Sequence, residues 1–391
     1  MKLFKTVFTA VAITLTASAA SAQLIWDRDH LAEVKANLTA SAYAGAYSAL
    51  IESADKMLDV KPLSVMMKEK TAVSGDKHDY LSMGRYYWPD PSKPDGLPYI
   101  SRDGESNPEI EKLDRYPLGD TAERVYTLSL AYYFSGDEKY ARKASELIDV
   151  WFLDPVTRMN PHLKYAQMIP GHNNGLGRSP GLIDTYSFID MLEGVRLLET
   201  STSFSSAQSQ ALRKWFGDLT DWMLVSEQGK GEDNATNNHS IAYDAQIISF
   251  ADYAGKESVV KNVLNRFEER RLKKQIKEDG SQPRELQRTI AFHYSHYNVT
   301  HIIDILCMAR HRGLTLDTEP LLRALDFLTP YVGKNAKEWP YQQINDINPV
   351  KRKLIDDLYR TYTYLAPERS DYYNIYIENP EDPTAIFNLI F

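Results

Sequence analysis

The chain has 391 residues, of which 43% are hydrophobic, and a formal net charge of −8 at pH 7. This apolar content is sufficient for a buried core. The acidic balance argues against a nucleic-acid partner, because phosphate neutralisation requires a basic face. It does not exclude a polyanionic ligand, since a local basic cleft can form on an acidic protein.

The N-terminus has the pattern of a secretory signal. Two lysines precede the apolar run Val7 to Leu15, and the small residues Ala20 to Ala22 precede Gln23. We predict a signal peptide over residues 1–22 and export to the periplasm of a Gram-negative bacterium. The apolar run is shorter than the roughly 18 residues that cross a bilayer, and no later segment reaches that length, so no membrane partner is expected.

Helical periodicity dominates the rest of the chain, and short polar loops separate the periodic segments. The predicted helical pairs are 121–134 with 138–152, 187–198 with 207–223, 241–253 with 259–276, and 294–312 with 319–331. Repeated antiparallel helical hairpins close into an α/α toroid whose inner helices line a cleft. We therefore expect one all-α domain over residues 23–391, with about six to seven helical hairpins.

Two segments, 84–117 and 169–180, interrupt the helical pattern. Long irregular segments inside a compact helical domain are usually functional, and loops on a rigid scaffold are where sites are built. The aromatic and amide side chains of these segments suit a sugar ligand, although a structural role for Trp88 is the alternative. The side chains predicted to contact the ligand are Arg85, Tyr86, Tyr87, Trp88, His172, Asn173 and Arg178.

A first motif, Asn237-Asn238-His239-Ser240, follows a predicted turn at Gly229 to Glu232 and precedes an apolar helical run from Ile241 to Ala254. Amides beside an imidazole can bind a carboxylate while a base removes a nearby proton. Asn-rich junctions are also common because Asn caps helices and tolerates turns. The motif is therefore ambiguous by itself.

A second motif, Glu285-Leu286-Gln287-Arg288, precedes a helix expected from Tyr294 onward. Tyr294 and Tyr297 share one face of that helix, and core packing is the alternative role for both. On an ideal helix Arg288 and Tyr294 would point apart. They converge only if Arg288 lies on an irregular segment before the helix, which Pro283 makes plausible.

Elimination in a uronic-acid polymer has three chemical requirements. The sugar carboxylate must be neutralised, a base must remove the proton at C5, and an acid must protonate the O4 leaving group. A tyrosine can do both proton transfers if a nearby arginine lowers its pKa. Together Asn238, His239, Arg288 and Tyr294 supply these functions without a metal or cofactor.

The two motifs together resemble the alginate lyase superfamily. The chain is similar to polysaccharide lyase family 5, whose fold is an α/α toroid. Its Tyr-Tyr-Trp-Pro-Asp-Pro segment and its Arg-to-Tyr spacing, one residue shorter than in family 5, resemble the family 38 lyases of alginate and polyglucuronate more closely. The resemblance implies carboxylate neutralisation by Asn238 and Arg288, with His239 and Tyr294 as base and acid. Asn237 and Tyr297 become expected substrate contacts.

Three histidines, His293, His296 and His301, invite a metal interpretation. They lack an acidic partner such as that in a His-Glu-x-x-His motif, so we expect no metal.

Two other functions remain open. A glycoside hydrolase of the unsaturated glucuronyl type would need two opposed carboxylates, for which the candidates are Asp79, Asp90, Asp184, Asp233 and Asp244. A non-catalytic protein that binds an acidic glycan is the other alternative. The sequence does not decide between mannuronate, guluronate and glucuronate, between endolytic and exolytic action, or the oligomeric state.

Overall fold

The computed structural model describes residues 23–391. The first helices in this part of the chain are α1 (Arg28–Ala36) and α2 (Ala44–Leu58). The predicted signal peptide lies outside the described residues. Just before α1, the carboxylate of Glu193 accepts the backbone N–H groups of Leu24, Ile25 and Trp26 at 2.8–3.0 Å. This contact fixes the first described residues against the helical body.

One small sheet lies inside the segment 84–117, and a second is formed by strands that immediately precede the two segments predicted to be irregular. Strand β1 (Leu81–Met83) pairs in parallel with β4 (Tyr165–Met168), and β2 (Tyr87–Trp88) pairs antiparallel with β3 (Ile100–Ser101). The segment 84–117 is therefore not wholly irregular, and its last three residues already belong to a helix. Pro117 is tolerated there because the first helical turn does not need its missing N–H.

The remaining chain is helical, with inner and outer helices in alternation. Inner helices α3 (Arg115–Ser135), α5 (Phe188–Leu198), α8 (Asn238–Tyr253), α12 (Ala291–His311) and α14 (Asn348–Tyr364) lie side by side in that order, and the outer helices pack around them. The other helices after α3 are α4 (Glu138–Ile148), α6 (Ser206–Val225), α7 (Glu227–Asp233), α9 (Glu257–Phe267), α10 (Lys273–Gln275), α11 (Pro283–Leu286), α13 (Glu319–Leu328), α15 (Ser370–Glu378) and α16 (Phe387–Ile390). This is the predicted α/α toroid. No described helix has the length and apolar character needed to span a membrane.

The prediction of a turn at Gly229 to Glu232 is wrong, because these residues form part of helix α7. Ser226 caps this helix by accepting the backbone N–H of Gly229 at 3.0 Å. A Cβ on Gly229 would lie 1.6 Å from the carbonyl oxygen of Met223, so only glycine fits where α6 passes into α7. The glycines therefore permit a close approach of helices rather than a turn.

An aromatic cluster holds α5, α6 and α8 together on one side of the toroid. Its ring centroids are 4.8–6.4 Å apart. Its members are Phe152, Phe188, Trp215, Phe216 and Phe250. Because burying a phenylalanine stabilises a protein by about 1.5–3 kcal/mol, this cluster anchors the C-terminal part of α8, where Phe250 lies, against α5 and α6.

A buried charge network fixes α12 against α14. The guanidinium of Arg360 donates to Asp304 at 2.6 Å and to Asp357 at 3.0 Å. The hydroxyl of Tyr186 donates to the other oxygen of Asp304 at 2.7 Å. Buried charges are tolerated when they are paired and hydrogen-bonded, so this network holds α12 in a defined position.

Candidate active site

A cleft of about 520 Å³ opens where the N-terminus of α8, the start of α12 and the segments around β2 and β4 meet. The two sequence motifs converge here although 47 residues separate Asn238 from Glu285 along the chain. The predicted site residues that line the cleft are Arg85, Tyr86, Tyr87, Arg178, Asn237, Asn238, His239, Arg288, Tyr294 and Tyr297.

Arg288 and Tyr294 are in direct contact. Arg288 lies in the bend between α11 and α12, so it precedes the helix as the prediction required. Its guanidinium carbon is 3.6 Å from the centroid of the Tyr294 ring. Two of its nitrogens donate to the carboxylate of Asp103 at 3.1 and 2.5 Å, which holds the guanidinium plane over the ring. The hydroxyls of Tyr86 and Tyr294 are 3.0 Å apart.

Burial has a larger effect than Arg288 on the pKa of Tyr294. Burial raises the pKa of Tyr294 above its ordinary value, and the neighbouring Tyr86 and Asp103 raise this pKa further. Arg288 lowers the pKa of Tyr294 as predicted, but the burial of the phenol outweighs it. Tyr294 therefore holds its proton at neutral pH and has a proton to donate.

His239 is held by a carboxylate. Its Nδ1 lies 2.6 Å from Oε1 of Glu232, a buried residue of α7. A carboxylate at Nδ1 favours the tautomer with the proton on that nitrogen. Nε2 is then the basic nitrogen, and no hydrogen bond from within residues 23–391 occupies it.

Asn238 is fully buried at the wall of the cleft. Its backbone N–H and its side-chain amide each donate to Glu285 at 2.7 Å. Burial raises the pKa of Glu285, and the two N–H donors lower it. The amide oxygen Oδ1 has no hydrogen-bond partner. The neutralising role that the resemblance implies for Asn238 therefore depends on its second amide hydrogen.

The cleft carries several cations. Arg178 donates to the backbone oxygen and side-chain oxygen of Gln167 at 3.2 and 3.0 Å and lies over the ring of Tyr87. Arg115 forms an ion pair with Asp184. Arg85 is exposed, and its guanidinium has no hydrogen bond or ion pair within the described part of the chain. Arg85 is therefore the cation best able to bind an incoming carboxylate.

Three predicted contacts do not line the cleft. The indole N–H of Trp88 donates to the carbonyl of Glu105 at 3.0 Å. A ring nitrogen of His172 lies 3.0 Å from the carbonyl of Tyr99, and the amide of Asn173 donates to Gly177 at 3.3 Å. These side chains bind the backbone of their own or neighbouring loops and so maintain loop shape.

Sequence reasoning missed several residues of the site. Glu285 lies in the second motif, and Glu232 precedes His239 by seven residues. No sequence signal marked Asp103, which lies 185 residues before Arg288. His293 also lines the cleft, and burial together with nearby positive charge lowers its pKa to about 4, so its ring is neutral at pH 7.

The histidines of α12 do not assemble a metal site. The ring of His301 lies between Tyr186 and Tyr297, with centroids 4.2 and 4.1 Å away. His296 contacts Asp357 at 3.1 Å. In the described part of the chain, no group of three or more histidine, cysteine, aspartate or glutamate side chains is placed to hold a metal ion.

The carboxylates proposed for a hydrolase are either bound by other protein groups or lie outside the cleft. Asp184 accepts hydrogen bonds from Tyr80, Ser82 and Gln167 in addition to its ion pair. Asp244 is fully buried against Arg271. The other three candidates, Asp79, Asp90 and Asp233, do not line the cleft. The carboxylates that do line the cleft, Asp103 and Glu232, are paired with Arg288 and His239, so this site does not present the two opposed, free carboxylates that hydrolysis requires.

An oriented imidazole, a protonated phenol and surrounding cations define a site for β-elimination on an anionic sugar polymer. Residues 64–339 match the alginate lyase family. The chain belongs to this family and is a polysaccharide lyase.

Two solved structures support this assignment. An alginate lyase from Bacteroides ovatus is 44% identical, with 94% of this chain and 98% of that chain covered and a TM-score of 0.91. Alginate lyase A1-III from Sphingomonas species A1 is 14% identical, with 87% of this chain and 93% of that chain covered and a TM-score of 0.55, which shows the fold alone. No curated protein matches the chain.

Proposed function

We propose that this lyase cleaves alginate or polyglucuronate by β-elimination and leaves a 4,5-unsaturated uronate end. The observation that carries the proposal is the convergence of the Glu232–His239 pair and the Arg288–Tyr294 pair in one cationic cleft. The Bacteroides ovatus structure, which is similar over nearly the whole chain, is also described as an alginate lyase.

The reaction begins with the uronate carboxylate bound beside Arg85 and the free amide hydrogen of Asn238. Neutralising this carboxylate makes the C5 proton removable. The base takes that proton, the electron pair forms the C4–C5 double bond, and the C4–O4 bond breaks. Tyr294 donates its proton to O4, so that the leaving sugar departs as an alcohol.

The identity of the base depends on the sugar. In guluronate the C5 proton and O4 lie on opposite faces, and Nε2 of His239 is the base while Tyr294 is the acid. In mannuronate and glucuronate they lie on the same face, and Tyr294 performs both transfers after losing its own proton. Burial disfavours that phenolate while Arg288 stabilises it, so same-face cleavage should require a higher pH than opposite-face cleavage.

Assays on defined polymannuronate, polyguluronate and glucuronan test the proposal. Elimination creates a conjugated uronate double bond whose ultraviolet absorbance rises with each cleavage. A hydrolase would release reducing ends without this absorbance. A protein that only binds would retain the polymers without any cleavage.

We also propose that residues 1–22 direct export to the periplasm. The charged start, the apolar run and the small residues before Gln23 support this. Fractionation of cells that express the full chain should place the mature enzyme in the periplasmic fraction. Recovery of the uncleaved chain from the cytoplasm would contradict the proposal.

A further inference from the structure

A second groove, of about 350 Å³, lies beyond the loop that connects α7 to α8. Ala235 of this loop lines both the groove and the catalytic cleft. Only the backbone of the loop therefore separates the groove from the cleft. The groove is lined by one carboxylate, Asp233, and five cations. The cations are Arg270, Arg271, Lys274, Lys277 and Arg284.

Two of these cations already have anionic partners. Arg270 and Arg271 donate to the carboxylate of Asp233 at 2.6 and 2.9 Å, and Arg271 also binds the buried Asp244. These contacts form a rigid floor beneath the loop. Arg270 and Arg271 therefore act mainly in holding the catalytic loop in place.

The other three cations have no side-chain partner among the residues that the structure describes. Lys274, Lys277 and Arg284 are exposed, and none makes a side-chain ion pair or hydrogen bond within residues 23–391. Like charges grouped in one groove repel each other unless an anion lies between them. On a chain with a net charge of −8, this cluster marks a place suited to a polyanion.

Another neighbour of the cleft has the reverse charge. A chamber of about 660 Å³ shares Arg115, Ile183 and Tyr297 with the cleft. Four carboxylates and a single cation are the charged groups of its lining. That cation, Arg115, is already paired with Asp184. A polyanion that extends out of the cleft is therefore repelled on this side and attracted on the side of the basic groove.

We propose that the basic groove is a distal binding site for the uronate polymer, several sugars away from the bond that is cleaved. The proposal rests on the proposed function. Exposed lysine and arginine side chains there bind carboxylates of the polymer as it passes over Ala235. Arg284 adjoins Glu285, which binds Asn238, so the groove is held in a fixed relation to the catalytic residues. Long chains reach both places, whereas short oligosaccharides occupy the cleft alone.

A triple variant tests this: Lys274→Gln, Lys277→Gln and Arg284→Gln. Its matched control is Lys70→Gln, Lys112→Gln and Arg142→Gln, which removes the same charges from exposed cations that line neither the cleft nor the groove. We expect the KM of the groove variant for the polymer to rise about tenfold, from the loss of three exposed ion pairs. Its kinetics on the shortest uronate oligosaccharide that the enzyme cleaves should equal those of the control.

Two results would overturn the proposal. Unchanged polymer kinetics in the groove variant would show that the groove does not bind the chain. An equal loss on polymer and oligosaccharide would show that the substitutions act on the cleft itself.

A binding measurement separates this proposal from the proposed function. Affinity electrophoresis in gels that contain the uronate polymer needs no turnover and can use the Tyr294→Phe background. The Tyr294→Phe protein should be retarded by the polymer. If the groove triple variant loses this retardation and the control triple variant retains it, the distal site is supported even if no polymer is cleaved. Equal retardation of both triple variants contradicts it.

Discussion

Oε1 of Glu232 lies 2.6 Å from Nδ1 of His239, and this contact determines which ring nitrogen is available to the substrate. Glu232 is buried and belongs to α7, whereas His239 lies in the first turn of the next helix, α8. A carboxylate in this position both orients the ring and stabilises the imidazolium that forms when Nε2 accepts a proton.

Replacing Glu232 with glutamine should lower kcat on guluronate linkages and change KM little, because the amide cannot stabilise an imidazolium. The decrease in kcat should be smaller than the decrease caused by removing the base itself, which typically contributes about 10²- to 10⁴-fold to the rate. Steady-state kinetics on polyguluronate measure it. Glu227→Gln is the matched control, because Glu227 lies on the same helix and is exposed. Equal activity of the two variants would rule out an orienting role for Glu232.

Substitutions of Arg85 and Arg288 should change different kinetic constants. Arg85 has no protein partner in the described part of the chain, so Arg85→Ala should mainly raise KM by removing a contact with the substrate carboxylate. Arg288 contacts the Tyr294 ring at 3.6 Å, so Arg288→Ala should mainly lower kcat. Loss of one donor that stabilises a transition state typically lowers kcat by about 10²- to 10³-fold. Separate determination of kcat and KM on each polymer checks this, and the opposite division would contradict it.

Much of the fold was predictable because helical periodicity reports burial directly. The four hairpins placed from sequence all occur, with ends shifted by a few residues. For instance, α12 begins at Ala291 rather than Tyr294. The small sheets were missed because strands of two to four residues show too little alternation to stand out.

The site was predictable where its residues lie close together in sequence. Asn238 and His239 are adjacent, and Arg288 precedes Tyr294 by six residues. Asp103 could not be found, because its contact with Arg288 depends on how the loop after β3 folds across the toroid. The acidity of Tyr294 could not be judged either, since burial of the phenol is a property of the packed structure.

His301 should make the enzyme sensitive to acid. Burial lowers the pKa of His301 from 6.5 to about 3, with the neighbouring His239 and His296 lowering it and Asp357 raising it. The unfolded chain therefore binds a proton that the folded chain does not, and stability falls as the pH drops from 6.5 toward 3. At about pH 4.5 this group alone should destabilise the fold by roughly 2 to 3 kcal/mol.

His301→Phe keeps an aromatic ring between Tyr186 and Tyr297 and removes the titrating group. Thermal unfolding across this pH range should show a shallower loss of Tm in the variant than in the wild type. The other ionisable groups are the same in both proteins, so parallel curves would mean that His301 does not contribute.

His239→Ala should distinguish substrates. If His239 is the base only where the C5 proton and O4 lie on opposite faces, guluronate linkages should lose more activity than mannuronate or glucuronate linkages. Parallel kinetics on the three defined polymers measure the ratio. An equal loss on all three would assign His239 to carboxylate binding instead.

The most direct test of the account is the activity of Tyr294→Phe, followed by the ultraviolet absorbance of the unsaturated product. Phenylalanine keeps the ring beneath Arg288 and removes the hydroxyl that donates to O4. We expect a loss of at least about 10²-fold on every uronate polymer that the wild type cleaves. Near wild-type turnover of Tyr294→Phe on any of these polymers would contradict it.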